Sequence, residues 1–431
     1  VARSTPKSRT QVDAATLERI LDITRELAAP FELDEVLKKI IDSGRDVLSA
    51  DRGTVFLFDA AKDELVVRVA TGIGELRIPA GKGIAGECAK TRKIVNVPDA
   101  YADERFNREI DRESGYHTRC ILAVPLIGHD DTLVGVLQLL NKTGGAFDER
   151  DERIAAALAA QCAVALQRVR LTQALLAKEK MERELALARE IQMGFLPRRF
   201  PSLAGYDLWG TSRPADATGG DTFDMVTLPQ GRAAILLGDA TGHGVGPALS
   251  ATQVRAMLRI AMRLSADLGA TVAHINDQLE QDLASNRFVT AFVGLLDTNG
   301  HEIAYHAAGQ GPLMHFHAAE DRFEWKGSTT LPLGFMSPLP KRAGGTFRLD
   351  PGDIVALLTD GVFECEDPAG KAFGEAGVES LIRAGHEGKM ADLGRQILSE
   401  VDRFVAGAPQ ADDITVVLVR RLPAPAVEPG A

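Results

Sequence analysis

Apolar positions along the chain follow two periods. Leu17, Ile20, Leu21, Ile23 and Leu27 recur at helical spacing, and Leu33 to Leu48 repeats the pattern as a second amphipathic helix. Segments that read as strands follow at Gly53 to Phe58, Glu64 to Ala70, Ile121 to Ile127 and Leu133 to Leu140. A long polar region between them holds Gly81-Lys82-Gly83-Ile84-Ala85-Gly86 and Asn96 to Asn107. This order predicts a central antiparallel sheet with helices on one side and a long covering segment on the other. Loops on such a scaffold suit a small-molecule pocket. The longest apolar stretch, Ile154 to Leu166, is Ala-rich, too short to span a bilayer, and predicts a packed helix.

From Gln167 to Met193 there is no Gly or Pro, and Ala, Leu, Glu, Lys and Arg dominate, so a helical connector is expected over 168–200. Leu171 and Leu175 lead into a narrow stripe of Met181, Leu185, Ala188, Gln192 and Phe195, which predicts a short parallel coiled coil; a solvated spacer helix is the alternative. Pro197 and Pro201 end it. Beyond it, Ala233 to Leu237 reads as a buried strand, and Gly246 to Leu264 and Ala270 to Leu283 as amphipathic helices. Strands are expected at Thr290 to Leu296, Glu302 to Ala307, Leu313 to His317, Ile354 to Leu358 and from Ile414, with a helix at Ala391 to Phe404. Residues 1–13 and the Pro- and Ala-rich 422–431 are expected to be disordered.

With 431 residues the chain is too long for one core, so two or three domains are expected. A net charge of −11 argues against nucleic acid or an anionic membrane as the main partner. Cys88, Cys120, Cys162 and Cys365 are widely spaced, with no CxxC or Cys-His pattern, so neither a disulfide framework nor a cysteine-based zinc site is expected. Residues 1–12 are polar and basic without an apolar core, which with the free cysteines leads to the expectation of a soluble cytoplasmic protein.

The candidate chemistry lies at strand ends. Gly219-Gly220-Asp221 and Gly238-Asp239-Ala240 flank one apolar run; Thr359-Asp360-Gly361 follows another, and Asp412-Asp413 precedes a third. If Asp221 lies on the hairpin partner of the Ala233–Leu237 strand, both carboxylates reach one sheet edge. Hard divalent cations take such oxygen ligands and are held by few carboxylates. Turn chemistry alone also enriches Asp and Gly at strand ends.

The motifs GGDTFD, GDATGHG, Thr290-Ala291-Phe292, Ala308-Gly309-Gln310-Gly311-Pro312, Leu331-Pro332-Leu333-Gly334, Leu358-Thr359-Asp360-Gly361 and Asp412-Asp413-Ile414-Thr415 occur in this order. Together they resemble the SpoIIE/RsbU-type branch of the PPM metal-dependent serine/threonine phosphatases, over roughly residues 190 to 421. The resemblance implies a β-sandwich with helical layers over 201–421 and two Mn²⁺ or Mg²⁺ ions. Asp239 would bridge them; Asp221 and the Ala240 carbonyl would complete one site, and Asp360 and Asp412, with Asp413 as neighbour, the other. It further implies single-step hydrolysis without a cysteine nucleophile, Cys365 having no phosphate-cradling loop. His243 is a candidate proton donor to the leaving serine oxygen, a structural role being the alternative. Gln310 stands where the family often has His, which is expected to affect substrate docking.

The N-terminal region, 14–167, resembles the GAF domains of cyclic-nucleotide phosphodiesterases and adenylyl cyclases. The resemblance is carried by Ile84-Ala85-Gly86, Asn96-Val97-Pro98-Asp99-Ala100-Tyr101, Arg105-Phe106-Asn107, Gly115-Tyr116-His117-Thr118-Arg119, and Asn141-Lys142 with Phe147 and Asp151-Glu152. It implies a Lys142–Asp151 ion pair and pocket positions Thr54, Thr71, Ile84, Ala85, Asn107, Ser114, Thr118 and Gln138. Thr71 and Gln138 depart from the family pattern where it meets the base, so cAMP and cGMP both stay open, beside the alternative of a structural or differently liganded GAF domain. GKGIAG matches no phosphate-binding loop and reads as the turn into a helix.

The expected architecture is therefore α+β: an antiparallel GAF sheet with helices, a coiled-coil connector, and a PPM-type sandwich flanked by helices. The expected function is a ligand-regulated, homodimeric protein-serine/threonine phosphatase acting on a phosphoserine of a STAS-type anti-sigma antagonist. The rival is a non-catalytic nucleotide sensor whose second half serves for docking.

Overall fold

Two segments with acidic first turns and apolar stripes frame the N-terminal sheet. In the computed structural model, which describes residues 33–70, 76–264, 267–284, 286–340 and 343–423, the first is α1 (Leu33–Leu48). The expected helix at 17–27, Thr71, and the terminal segments 1–13 and 424–431 lie outside the described residues. After α1 come β1 (Ala50–Asp59), β2 (Glu64–Ala70), β3 (Leu76–Pro79), α2 (Gly83–Thr91), β4 (Val95–Val97), α3 (Arg108–Ser114), β5 (Ile121–Ile127), β6 (Leu133–Lys142) and α4 (Glu149–Phe195). The strands form one antiparallel sheet in the order β3-β2-β1-β6-β5-β4.

One face buries Leu37, Ile40 and Ile41 of α1 and Leu158 and Cys162 of α4 against Leu137 and Leu139. The other face packs Ile84, Ala85 and Cys88 of α2 on Phe56, Ala123 and Val136. Helices and covering segment thus take opposite faces, as the polarity pattern predicts. Lys142 pairs with Asp151, whose Oδ2 also accepts the Asp148 N–H at 2.8 Å, tying the end of β6 to the first turn of α4. Gly81 and Gly83 take φ of 89° and 72° in the turn that opens α2, so GKGIAG is a helix entrance.

The absence of Gly and Pro between Gln167 and Met193 lets α4 run unbroken from the sheet to Phe195. Ile154, Leu158, Cys162 and Leu166 are buried, so the apolar stretch is a packed half-helix. The whole of α4, Glu149–Phe195, is long and apolar enough to cross a membrane by length and composition alone. The chain forms two compact units that divide inside α4, between Lys180 and Met181.

The second unit contains β7 (Tyr206–Arg213), β8 (Asp221–Leu228), β9 (Arg232–Ala240), α5 (Val245–Arg263), α6 (Leu268–Asp282), β10 (Val289–Asp297), β11 (Glu302–Ala308), β12 (Leu313–His317), β13 (Arg322–Lys326), β14 (Gly345–Arg348), β15 (Ile354–Leu358), α7 (Asp360–Phe363), α8 (Gly374–Gly385), α9 (Met390–Phe404) and β16 (Ile414–Arg421). Two five-stranded sheets, β14-β11-β10-β9-β8 and β13-β12-β15-β16-β7, pack face to face. Phe223, Phe292, Phe347, Val355 and Val417 fill the space between them. Helices α5 and α6 cover one outer face, and α8 and α9 the other. Buried Asp224 of β8 faces two guanidinium groups of α5, Arg259 at 2.7 Å and Arg255 at 3.1 Å, pinning that helix to its sheet.

Candidate functional site

The acidic motifs meet because each sheet contributes a pair of neighbouring antiparallel strands whose acidic ends face the same way. β8 and β9 pair antiparallel with Asp221 directly opposite Asp239, as the hairpin reading requires. β15 and β16 pair with Leu358 opposite Val416, so Asp360 leaves one strand where Asp412-Asp413 enter the other. A cleft of about 350 Å³ at this end is walled by Asp216, Asp239, His243, Asp412 and Asp413 among others. Asp221 lies deeper and is 4% exposed.

Hydroxyls and glycines set the geometry. Asp221 Oδ2 accepts hydrogen bonds from Thr359 Oγ1 at 2.8 Å and Thr415 Oγ1 at 2.6 Å. Asp413, the expected neighbour in the second ion's site, turns its side chain inward: Oδ1 accepts Ala215 N–H at 2.7 Å and Oδ2 accepts Asp221 N–H at 3.2 Å. It holds the loop that carries Asp221, while Asp412 faces the cleft. A Cβ on Gly219 would stand 2.2 Å from Asp413 Oδ2. On Gly220 it would stand 2.5 Å from the Ala240 carbonyl oxygen and 3.2 Å from Asp239 Oδ1. The missing side chain at Gly220 therefore leaves a space onto which two of the expected ligand oxygens open.

These carboxyls raise one another's pKa. Burial, then the charges of Asp360, Asp412 and Asp413, push Asp239 up to about 7, with a hydrogen bond from Asp221 opposing. Burial, then the charge of Asp239, holds Asp221 well above the carboxylate range. Asp360 and Asp412 are raised as well, chiefly by burial. Oxygen-only donors that repel one another in a half-buried cleft suit a hard divalent cation.

One residue that holds this site went unrecognised in the sequence. Gln192, placed on the coiled-coil stripe by its spacing, is 9% exposed and packs into this unit. Its Nε2 donates to the Gly219 carbonyl at 2.6 Å, and its Oε1 accepts the Gly219 N–H at 3.1 Å. Arg189, one turn earlier, donates to the Asp216 carbonyl at 2.7 Å. A polar residue inside an otherwise apolar stripe was the only available signal. Two other candidates have their places in the structure. His243 is at the cleft mouth with its side chain 89% exposed, 3.1 Å from Asp216 Oδ2. Gln310 does not face a substrate: it is buried, accepting from Thr290 Oγ1 at 3.1 Å and donating to the Leu358 carbonyl at 3.3 Å, so it joins the two sheets.

The N-terminal unit has its own cavity of about 420 Å³ over the sheet face that carries α2. Thr54, Ile84, Ala85, Asn107, Ser114, Thr118 and Gln138 all line it. Three of the polar ones also serve the scaffold. Asn107 caps α3 through the Glu109 N–H, Ser114 donates to the Ile110 carbonyl, and Thr118 donates to Asp111. Arg52, Arg77 and Lys82 line the cavity and were not anticipated.

Residues 32–166 match the family model of the GAF domain, and residues 229–422 that of stage II sporulation protein E (SpoIIE). The chain thus carries a GAF domain and a SpoIIE domain, and Asp221 lies upstream of the second matched range. It is 34% identical over 191 residues to the cGMP-specific 3',5'-cyclic phosphodiesterase of Drosophila ananassae, covering 39% of this chain and 16% of that protein. It therefore spans about a sixth of the length of the curated relative it matches. The SiaA-PP2C domain of Pseudomonas aeruginosa superposes with a TM-score of 0.50 at 22% identity, over 57% of this chain and 98% of that one, which shows a shared fold.

Proposed function

We propose that this chain is a metal-dependent protein-serine/threonine phosphatase whose turnover is set by a cyclic nucleotide bound to its N-terminal domain. The observation that carries the catalytic part is the pairing of Asp221 opposite Asp239, with Asp360 and Asp412 raising the same cluster's pKa. Asp221, Asp239, the Ala240 carbonyl, Asp360 and Asp412 would hold two Mn²⁺ or Mg²⁺ ions. Bound there, the ions supply Lewis acidity, neutralising phosphoryl oxygens and activating water.

The chain's own residues prepare that chemistry. Thr359 and Thr415 aim Asp221, Asp413 fixes the loop before it, and Gln192 grips the same loop from the helix side. His243, at the mouth beside Asp216, would give a proton to a departing serine oxygen. The substrate is a phosphoserine protein, for which the family resemblance favours a STAS-type anti-sigma antagonist, in the cytoplasm.

The regulatory part rests on the cavity. Its volume falls in the range of small-ligand sites. The N-terminal turn of α2 and Lys82, Arg52 and Arg77 offer donors and positive charge to a phosphate, and Gln138 an amide to a purine edge. The relative named cGMP-specific supports this ligand class. Along α4, Leu176, Leu187 and Ile191 are exposed at spacings of 11 and 4, which puts them on one face as apolar surface for a second copy of the helix. A displacement of α4 in such a dimer reaches the acidic cleft through Gln192.

The test is p-nitrophenyl phosphate turnover with Mn²⁺, with and without cAMP or cGMP. Metal-dependent turnover that shifts with nucleotide supports the proposal. Tight nucleotide binding with no turnover at any metal concentration favours the non-catalytic sensor.

A further inference from the structure

Away from the acidic cleft, at the far end of β15, a second cluster of ligating side chains converges with different chemistry. His315 and His317 are two apart on β12 and so share one face of the sheet. Glu324 lies directly opposite His315 on β13. One ligating atom from each of these three residues lies within 4.8 Å of the others. Asp353, just before β15, adds a carboxylate that touches both imidazoles: Oδ2 is 3.1 Å from His315 Nε2 and 3.5 Å from His317 Nδ1. His317 Nε2 is 3.3 Å from Glu324 Oε2, and the two rings stand 3.9 Å apart.

The structure assigns a zinc site to His315, His317 and Glu324, with Asp353 as the carboxylate that orients the imidazoles. Bonds of about 2.0–2.2 Å to nitrogen and oxygen in a tetrahedral array set ligand atoms about 3.3–3.5 Å apart, as His317 Nε2 and Glu324 Oε2 are at 3.3 Å, with the His315 ligand atom within 4.8 Å of both. The donor set is imidazole with carboxylate, which suits zinc, whereas the acidic cleft offers oxygen only. A carboxylate hydrogen-bonded to a ligating imidazole fixes its tautomer and orientation. Burial makes an incidental origin costly. His315 and Asp353 are 2% and 1% exposed at the rim of an apolar sandwich, where aliphatic residues would pack without needing partners. Asp353 is itself fixed, its Oδ1 accepting the Ala318 N–H and its Oδ2 the Asp350 N–H, each at 3.0 Å. Glu324 keeps Oε1 3.6 Å from Lys326, so its other oxygen is the one turned to His317. Zinc here would staple the β12–β13 hairpin to the start of β15, leaving the phosphoester cleft at the opposite end untouched.

The experiment uses the full chain carrying Asp239→Asn, which silences the acidic cleft, stripped with chelator and titrated with Zn²⁺ by calorimetry and with Co²⁺ by visible absorption. One equivalent of zinc and an intense tetrahedral cobalt band are expected. His317→Ala in the same background should weaken zinc by about tenfold or more and remove the band. Glu324→Gln, whose side chain is 42% exposed and thus dispensable for folding, should weaken it too and leave phosphatase turnover of the otherwise unaltered chain unchanged. A parent protein that takes up no zinc, or a folded Glu324→Gln protein that binds it as tightly as the parent, overturns the assignment.

Discussion

Gln192 and Gly219 hold each other through both ends of one amide, at 2.6 Å and 3.1 Å, across 27 residues of sequence. Gly219 is two residues from Asp221, and its missing Cβ leaves room for Asp413. The last turns of α4 are thus bonded directly to the loop that carries a proposed ligand, without an intervening element.

Replacing Gln192 by Ala strands a buried N–H and a buried carbonyl, each costing about 1–3 kcal/mol. If that cost falls on the assembled loop, even its lower bound of about 2 kcal/mol should drop turnover about 30-fold. Nucleotide affinity of the N-terminal cavity should not change. Steady-state turnover and a nucleotide titration on the same protein check this; unaltered turnover would mean the loop holds itself.

Gly220→Ala drives a methyl to within 2.5 Å of the Ala240 carbonyl oxygen. The carbonyl must retreat, and Mn²⁺ affinity should fall by about tenfold or more. Gly205→Ala, at another glycine of the same unit with open space around it, should leave affinity intact, apart from strain at its φ of 77°. Calorimetric Mn²⁺ titration of both variants decides it.

The metal-free protein should become less stable as pH rises. Asp239 titrates at about 7 when folded, against about 3.9 for an unfolded aspartate. The folded state therefore binds more protons between those values, and the associated stability is full below about pH 4 and lost as pH climbs through about 7. Asp221, Asp360 and Asp412 shift in the same direction. Melting in chelator should show the decline, Asp239→Asn should flatten it, and Mn²⁺ should restore stability at neutral pH. A chelated protein that gains stability over that range would contradict the clustered acids.

In the N-terminal domain, Asp151 holds both Lys142 and the Asp148 N–H. Asp151→Ala should cost about 2 kcal/mol, the scale of a half-buried charged hydrogen bond, measured by denaturant unfolding of the full chain. A change within error would make the clasp a surface ion pair of little consequence.

Legibility followed burial. β15 and β5 are continuous apolar runs, and both match their sequence reading residue for residue. β7 was missed because its inward positions are Tyr206, Leu208, Gly210 and Ser212, with Gly210 leaving room for Phe223 rather than contributing apolar bulk. α3 was missed because REIDRES is almost wholly polar and buries little beyond Asp111. The acidic strand ends could be read from motif order, since each Asp sits beside an apolar run. Gln192 could not, because its partner is a backbone that only the tertiary fold brings near. The His315–His317 spacing was visible, but Glu324 arrives from β13 and Asp353 from the turn before β15.

On the proposed reading, these acids hold catalytic metal. The most direct measurement is p-nitrophenyl phosphate hydrolysis by the chelator-stripped full chain as Mn²⁺ is added back, run beside Asp239→Ala. Turnover that rises saturably with Mn²⁺ and falls by about a thousandfold in the variant, about 4 kcal/mol in the barrier, is the expected result. Turnover that ignores Mn²⁺, or survives intact in a folded Asp239→Ala protein, would contradict it.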